Sequence, residues 1–353
     1  MRTTTTTTPA VTRAKFALHG PAVEIACEVP GMHEQIRRLF EPFAVPGFPD
    51  GFVPTVGMVR PYNQAEVLRH LSPHARPMAA ARDVIEIYED GDRFWLVDDR
   101  WGMAEVNLIR GQFRSWILPA PRVDATRVAE MAIVWPLAQL LRAKGVYMLP
   151  AVSVVRDGWA ALLICPFTLE SELATLIRAG YKVIGQRWTA VREEDGRLAL
   201  LHLPGAIERA FVPRLRAASD SSPKPDGAWI DLSDEYLGSW QNHAFCDAVL
   251  VTDGGRRNSA FVRDVEPDRA LELLRGAWPI VELHPQRKYG QLPLKLTQHA
   301  RVCELQLSRS PRDLLDLLQT LRATPVGKMV ADSDRDLAMT PWDNLRPMVG
   351  VAA

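Results

Sequence analysis

The alternation of apolar and polar residues predicts both strands and helices along this chain. Val84 to Tyr88 and Phe94 to Asp98 alternate on either side of a polar link containing Gly91, which predicts a β-hairpin. Residues 126 to 144 have apolar positions at helical spacing and end before Gly145, which is typical of a helix C-terminus. The pattern therefore indicates a mixture of sheet and helix.

Shorter patterns predict further elements near both ends of the chain. Phe16 to Cys27 alternates loosely and predicts an opening strand, and Gly31 to Phe43 has helical spacing. Residues 45 to 80 are rich in Pro, Gly and His, and we expect a loop region with one short helix at Gln64 to Leu71. Later elements are predicted at Leu198 to Leu203 (strand), Ala248 to Thr252 (strand), Pro267 to Leu274 (helix) and Pro311 to Leu321 (helix).

The middle of the chain predicts a unit in which a strand, a loop and a helix follow one another. Its predicted elements are strands at Tyr147 to Val155, Trp159 to Ile164 and Tyr181 to Ile184, and a helix at Leu169 to Ala179 that ends at Gly180. In α/β proteins such a unit often binds phosphate at the helix N-terminus. The loop after Ile164 is therefore a candidate nucleotide site.

The same segment, YMLPAVSVVRDGWAALLICPFTLESELATLIRAGYKVIGQRWTAV, resembles the HPr kinase/phosphorylase-like family of P-loop proteins. The matching features are the run Ser171 to Ala174, the run Arg178 to Tyr181 and the turn Arg156 to Gly158. The resemblance covers residues 15 to 325 and is strongest over 126 to 204. It implies an α/β fold with an HPr-kinase-like P-loop core, a mixed sheet with flanking helices, and a small N-terminal α+β region.

Pattern and resemblance together predict four parts of the chain. Residues 1–14 contain six consecutive threonines and are expected to be a disordered tail. Residues 15–120 are expected to form the N-terminal α+β region, residues 121–325 the core, and residues 326–353 a C-terminal extension.

The resemblance also implies that the family's nucleotide-binding residues are replaced here. No glycine lies between Ile164 and Ser171, although a P-loop needs glycines to turn its N–H groups toward phosphate. Glu170 stands at the position of the family's lysine, and a like charge ~4 Å from phosphate costs on the order of 4 kcal/mol at an effective dielectric of ~20. Gln186 and Arg187 stand where the family has two magnesium-binding aspartates. We expect a fold retained without phosphotransfer, with no cofactor and no metal.

Three functions remain open for such a chain. The first is a non-phosphorylating binding or scaffold subunit with a protein or peptide partner. The resemblance implies that it is encoded beside a biosynthetic or peptide-modifying pathway, as members of the family often are. The second is an enzyme that reuses the former cleft without ATP. The third is an atypical ATP-dependent kinase. The polar candidates for chemistry in the cleft are Glu170, Ser171, Gln186, Arg187 and His243.

Each candidate also has a structural interpretation. The three residues Glu170 to Glu172 are predicted to cap the helix rather than to act as acid or base. Arg187 is predicted to pair with Glu170 across the former pocket. His243 and Cys246 are three residues apart, which would place them on one helix face as a catalytic or metal-binding pair, or as a partly buried structural pair.

Composition and charge exclude several other classes. The chain has 353 residues, 47% of them hydrophobic, and its 42 basic residues balance 42 acidic ones. A neutral chain has no global field for nucleic acid or anionic lipid, and its apolar runs are shorter than the ~20 residues that span a bilayer. The four cysteines show no paired spacing, and the ten tryptophans are predicted to be core residues rather than a ligand groove. We therefore expect a cytoplasmic protein with no nucleic-acid or membrane partner.

Overall fold

The computed structural model describes residues 11–77, 86–123, 128–165, 169–203, 207–208, 229–230, 238–252, 255–277 and 292–324. These residues form an α/β fold in which mixed and antiparallel sheets are covered by helices. The predicted fold class, α/β with a mixed sheet and flanking helices, is confirmed. The expected C-terminal extension, 326–353, lies outside the described residues.

An eight-stranded mixed sheet comprises residues 12 to 117. Its strands are β1 (Thr12–Ala17), β2 (Ala22–Cys27), β3 (Thr55–Pro61), β4 (Arg76–Pro77), β5 (Glu86–Asp90), β6 (Arg93–Asp98), β7 (Gly102–Asn107) and β8 (Gln112–Ile117). Their order in the sheet is β1-β2-β3-β8-β7-β6-β5-β4. Helix α1 (Met32–Phe40) and helix α2 (Gln64–His70) lie in the connections on either side of β3.

The sequence predicted this sheet only in part. The β5–β6 hairpin and both helices are confirmed. The single strand expected at Phe16 to Cys27 is a hairpin of β1 and β2, closed by a bond from the Leu18 N–H to the Pro21 carbonyl. Strand β1 already begins at Thr12, inside the stretch expected to be a tail. Strand β3 lies inside the expected loop region, because its pairing between β2 and β8 depends on residues distant in sequence.

A buried helical segment connects this sheet to the rest of the protein. Its described part begins at residue 128, passes through a π-helical stretch, Glu130–Val134, and continues as α3 (Trp135–Arg142). Leu137 and Leu141 lie in one core cluster with residues of both the eight-stranded sheet and the following strands. The predicted helix over 126 to 144 is therefore present and almost wholly buried.

The central sheet has seven strands and contains both parallel and antiparallel pairs. They are β10 (Ala151–Arg156), β11 (Trp159–Ile164), β12 (Lys182–Gly185), β18 (Ala248–Val251), β19 (Arg256–Arg257), β20 (Phe261–Asp264) and β21 (Arg301–Ser308). The order is β12-β10-β11-β18-β21-β19, and β20 also pairs with β21. Strands β11, β18 and β21 are parallel, whereas β10 is antiparallel to both β11 and β12.

A four-stranded antiparallel sheet lies beside the central one. Its strands are β9 (Val146–Leu149), β13 (Thr189–Glu194), β14 (Arg197–His202) and β17 (His243–Phe245), and a separate pair joins β15 (Ile207–Glu208) to β16 (Trp229–Ile230). The single strand expected at Tyr147 to Val155 is wrong, because β9 and β10 belong to different sheets. The break falls at Pro150, which has no backbone N–H for a ladder bond.

Helices cover both faces of the central sheet. Helices α4 (Glu170–Arg178) and α7 (Pro311–Ala323) pack on one face through residues such as Leu173 and Leu318. Helices α5 (Pro267–Ala277) and α6 (Leu292–His299) cover the other face, together with the four-stranded sheet. Helix α4 ends as predicted at Gly180, whose φ of 87° is favourable for glycine.

The tryptophans and cysteines lie mostly in the interior. Trp95, Trp101 and Trp116 are fully buried, which confirms that they are core residues. Burial raises the pKa of the Cys303 thiol to about 12, so this thiol is protonated at neutral pH. Within the described ranges, every helix is too short or too polar to cross a lipid bilayer.

Candidate functional site

The parallel strands of the central sheet end on the same side, and we call this side the carboxyl edge. Its described residues include Cys165 after β11, Thr252 after β18 and Gln186 after β12. β12 shares the direction of β11 because both are antiparallel to β10. A bond of 3.1 Å from the Thr252 N–H to the Ile164 carbonyl ties two of these ends together. In α/β sheets ligands bind at the carboxyl ends of the strands, so this edge is the candidate site.

The first turn of α4 faces this edge and carries a buried ion pair. The Glu172 side chain is only 1% exposed, and its Oε1 lies 2.5 Å from Nη1 of Arg256 in β19. Arg256 lies near the edge because β19 pairs with Leu307 and Ser308, the last two residues of β21. The Glu172 carboxylate therefore lies in the first turn of α4, where the helix dipole is positive, and it is paired with Arg256.

The predicted cap of α4 is not formed by the described side chains. The residue preceding the helix is Leu169, which makes no side-chain cap bond. The Ser171 hydroxyl donates to Glu172 Oε2 at 2.9 Å, and the Ser171 carbonyl accepts from Thr175 Oγ1. Ser171 therefore orients the carboxylate that pairs with Arg256. Glu170 is the first residue of α4, and its side chain lies outside the described residues.

A second buried ion pair lies after β12. Arg187 Nε is 2.6 Å from Oε1 of Glu130, whose side chain is 2% exposed. Trp188 Nε1 donates to the same oxygen at 3.3 Å, and the Trp188 ring packs edge-on against Trp135 with centroids 5.4 Å apart. The described partner of Arg187 is Glu130, whereas the side chain of the predicted partner, Glu170, lies outside the described residues. Glu130 opens the π-helical stretch, a geometry that often occurs at functional sites.

Gln186 lies between these features and is 1% exposed. It follows Gly185, where the chain turns sharply from β12 toward β13. A Cβ on Gly185 would lie 2.3 Å from the Trp188 carbonyl oxygen and 2.4 Å from Thr189 Oγ1. Only glycine allows this close turn, which places Arg187 against Glu130.

We predict that Gly185→Ala lowers stability by about 1–3 kcal/mol, since the added methyl group must displace backbone atoms. Urea unfolding followed by intrinsic fluorescence measures the change. Gly47→Ala is the matched control, because a Cβ at Gly47 meets no atom within 4 Å. Equal stability of the two variants would contradict the tight turn.

His243 is placed differently from the expectation. It lies in strand β17, not on a helix, and its Nε2 is 3.0 Å from Glu194 Oε2. Burial alone would raise the pKa of Glu194, but hydrogen bonds from Arg192 and His243 outweigh it and lower that pKa. Burial also raises the pKa of Cys246, whose thiol contacts the Ala248 carbonyl instead of His243. The Cys–His pair is therefore not formed.

The structure brings Ser171, Gln186 and Arg187 to the carboxyl edge and adds two residues that the sequence interpretation missed. These are Glu130 and Arg256, the partners of the two buried ion pairs. Glu130 is a single carboxylate in the apolar run VAEMAIVW, and this was the available signal. Among the described residues, no three His, Cys, Asp or Glu side chains cluster in a way that could hold a metal ion.

Comparison with solved structures found many similar chains. The chain is similar to the HPr(Ser) kinase/phosphatase from Coxiella burnetii, with a TM-score of 0.29 and 12% sequence identity, over 50% of this chain and 90% of that one. No protein-family model matches the sequence. No curated protein matches it either.

Proposed function

We propose that this chain is a non-phosphorylating protein with an HPr-kinase-like core, acting as a binding or accessory subunit. The observation that carries the proposal is the state of the carboxyl edge. Two buried carboxylates, Glu130 and Glu172, face it, and each is neutralised by an arginine of the same chain. These two ion pairs support the proposal, because each occupies a charged side chain that a phosphate or a magnesium ion would otherwise need.

The Glu172–Arg256 pair lowers the affinity expected for a triphosphate at this edge. A phosphate at the α4 N-terminus would compete with Glu172 for the guanidinium of Arg256. Taking Arg256 away leaves a buried carboxylate unpaired, which costs about 3–5 kcal/mol. That cost corresponds to a loss of affinity of several hundredfold or more.

The Glu130–Arg187 pair opposes magnesium in a similar way. The resemblance to the HPr-kinase-like family places Arg187 where that family has an aspartate. Its guanidinium lies 2.6 Å from Glu130, so the one buried carboxylate next to it already has a cation. Mg²⁺ needs oxygen ligands in near-octahedral geometry, which an arginine cannot supply.

Phosphotransfer assays and calorimetric titration with ATP and magnesium test the absence of phosphorylation. We expect no γ-phosphate transfer from ATP to the protein or to added peptides, and no calorimetric binding of ATP that depends on magnesium. The Ser171→Ala variant is the matched control, because the resemblance aligns Ser171 with the serine of the kinase loop. Phosphotransfer, or magnesium-dependent ATP binding that Ser171→Ala weakens, would refute the proposal.

The accessory role is tested by association. We expect a stable complex with a protein or peptide encoded beside this chain in a biosynthetic or peptide-modifying gene cluster. Size-exclusion chromatography of co-expressed pairs measures it. Turnover of a small substrate by the isolated chain, without any such complex, would instead support an enzyme that reuses the cleft.

A further inference from the structure

A cavity of about 340 Å³ lies on the eight-stranded sheet. The residues that line it are distant in sequence from those of the carboxyl edge. It is formed where the end of α2 meets β6, β7, β8 and the turn between β7 and β8. Its charged lining residues are Arg69, His70, Arg93, Glu105, Arg110 and Arg114.

The period of the strands explains why these residues face one side. In β6, Phe94 and Leu96 belong to the inner core, whereas Arg93 and Trp95 point to the outer face. The register pairs Glu105 of β7 with Trp95 on one side and with Arg114 of β8 on the other. Polar residues of three neighbouring strands therefore meet on the outer face beside the buried Trp95 and Trp116.

A buried carboxylate organises the floor of the cavity. Glu105 is 5% exposed and holds Arg93 by two bonds to Oε1, of 3.0 Å from Nε and 2.5 Å from Nη2. Its Oε2 lies 2.9 Å from His70 Nδ1. The His70 carbonyl in turn accepts from Trp95 Nε1 at 3.1 Å. Arg93 and His70 are therefore fixed before any ligand binds, which lowers the entropic cost of binding.

The other three arginines of the cavity have no carboxylate partner among the described residues. Arg114 Nη1 lies 3.3 Å from both ring nitrogens of His70. Within the described part of the chain, Arg69, Arg110 and Arg114 make no ion pair with a carboxylate. Four arginines and one carboxylate therefore line the cavity, in a chain whose formal charge is zero.

We propose that this cavity binds a phosphomonoester. Guanidinium groups present paired N–H donors that match phosphate oxygens. A phosphomonoester dianion also carries two negative charges, so it is attracted to several arginines more strongly than a single carboxylate is. The volume is about ten times the ~30 Å³ that a water molecule occupies, so it holds a phosphate and part of the group esterified to it. The proposal concerns the N-terminal sheet and stands whether or not the carboxyl edge binds nucleotide.

Calorimetric titration at constant ionic strength tests the proposal, with inorganic phosphate, free phosphoserine and a phosphoserine peptide as probes. We expect binding of phosphoserine that the Arg114→Ala variant weakens by about tenfold or more, since a charged hydrogen bond is lost. Tighter binding of the peptide than of free phosphoserine would identify a phosphorylated protein as the source, and the reverse would identify a small phosphomonoester.

Matched variants and a second anion make the result decisive. Arg312→Ala removes an exposed arginine at the start of α7 and should leave the affinity unchanged. A dicarboxylate such as malonate should bind at least tenfold more weakly than phosphoserine. Absence of phosphoserine binding, equal binding of malonate, or an equal loss in Arg312→Ala would overturn the proposal. Any ATP binding that Arg114→Ala abolishes belongs to this cavity and not to the carboxyl edge.

Discussion

Replacing Arg256 with methionine should lower the free energy of unfolding by about 3 kcal/mol, because the buried Glu172 carboxylate then lacks its cation. The loss lies at the low end of the range for a buried pair, since the Arg256 side chain is 32% exposed. Methionine keeps most of the volume of the arginine stem, so the change isolates the charge. Urea unfolding of the two proteins side by side measures the difference. This is one of the two largest effects that we expect from any single substitution at the carboxyl edge.

The double variant Glu172→Gln/Arg256→Met separates charge from packing. It has no buried charge at this position and should recover most of the loss, since a buried ion pair itself contributes little net stability. Arg309→Met, at an exposed arginine, is the control and should change stability by less than about 0.5 kcal/mol. If the double variant is no more stable than Arg256→Met, the pair does not hold the first turn of α4 as described.

Replacing Arg187 with methionine should produce a loss of similar size, about 3 kcal/mol or more, because Glu130 is buried among Trp135, Trp188 and the π-helical stretch. Stability is again measured by urea unfolding. The near-ultraviolet circular dichroism spectrum, to which Trp135 and Trp188 contribute with the other aromatic residues, should also change if the packing around Glu130 loosens.

A double-mutant cycle identifies the partner of Arg187. Arg187→Met and Glu130→Gln should be coupled by about 1–3 kcal/mol, because they share one short contact. Arg187→Met and Glu170→Ala should be additive within about 0.5 kcal/mol. Coupling to Glu170 instead of Glu130 would restore the pair that the sequence suggested.

Local patterns predicted the elements whose partners are near in sequence. The β5–β6 hairpin depends on two alternating runs and one polar link, and α4 depends on apolar spacing and Gly180. Elements defined by distant pairing were missed or merged. Strand β3 is stabilised by β2 and β8, and β9 separates from β10 because each pairs with a different strand.

The candidate site shows the same limit. The sequence placed Ser171, Gln186 and Arg187 correctly near one sheet edge, since each follows or begins a predicted element. It could not show that Arg187 pairs with Glu130, because that contact depends on how the buried helix packs against the sheet. It also assigned His243 to a helix. In the structure His243 lies in a strand that pairs with β14.

The sequence by itself determined the α/β class, the central strand–helix unit and the absence of glycine between Ile164 and Ser171, because these depend on composition and on spacing over a few residues. Only the tertiary structure decided which charges meet. Arg256 reaches Glu172, and Arg93, Glu105 and Arg114 share one face, through strand register and chain crossings set by core packing. Local spacing carries no information about such contacts, since they join residues that only folding brings together.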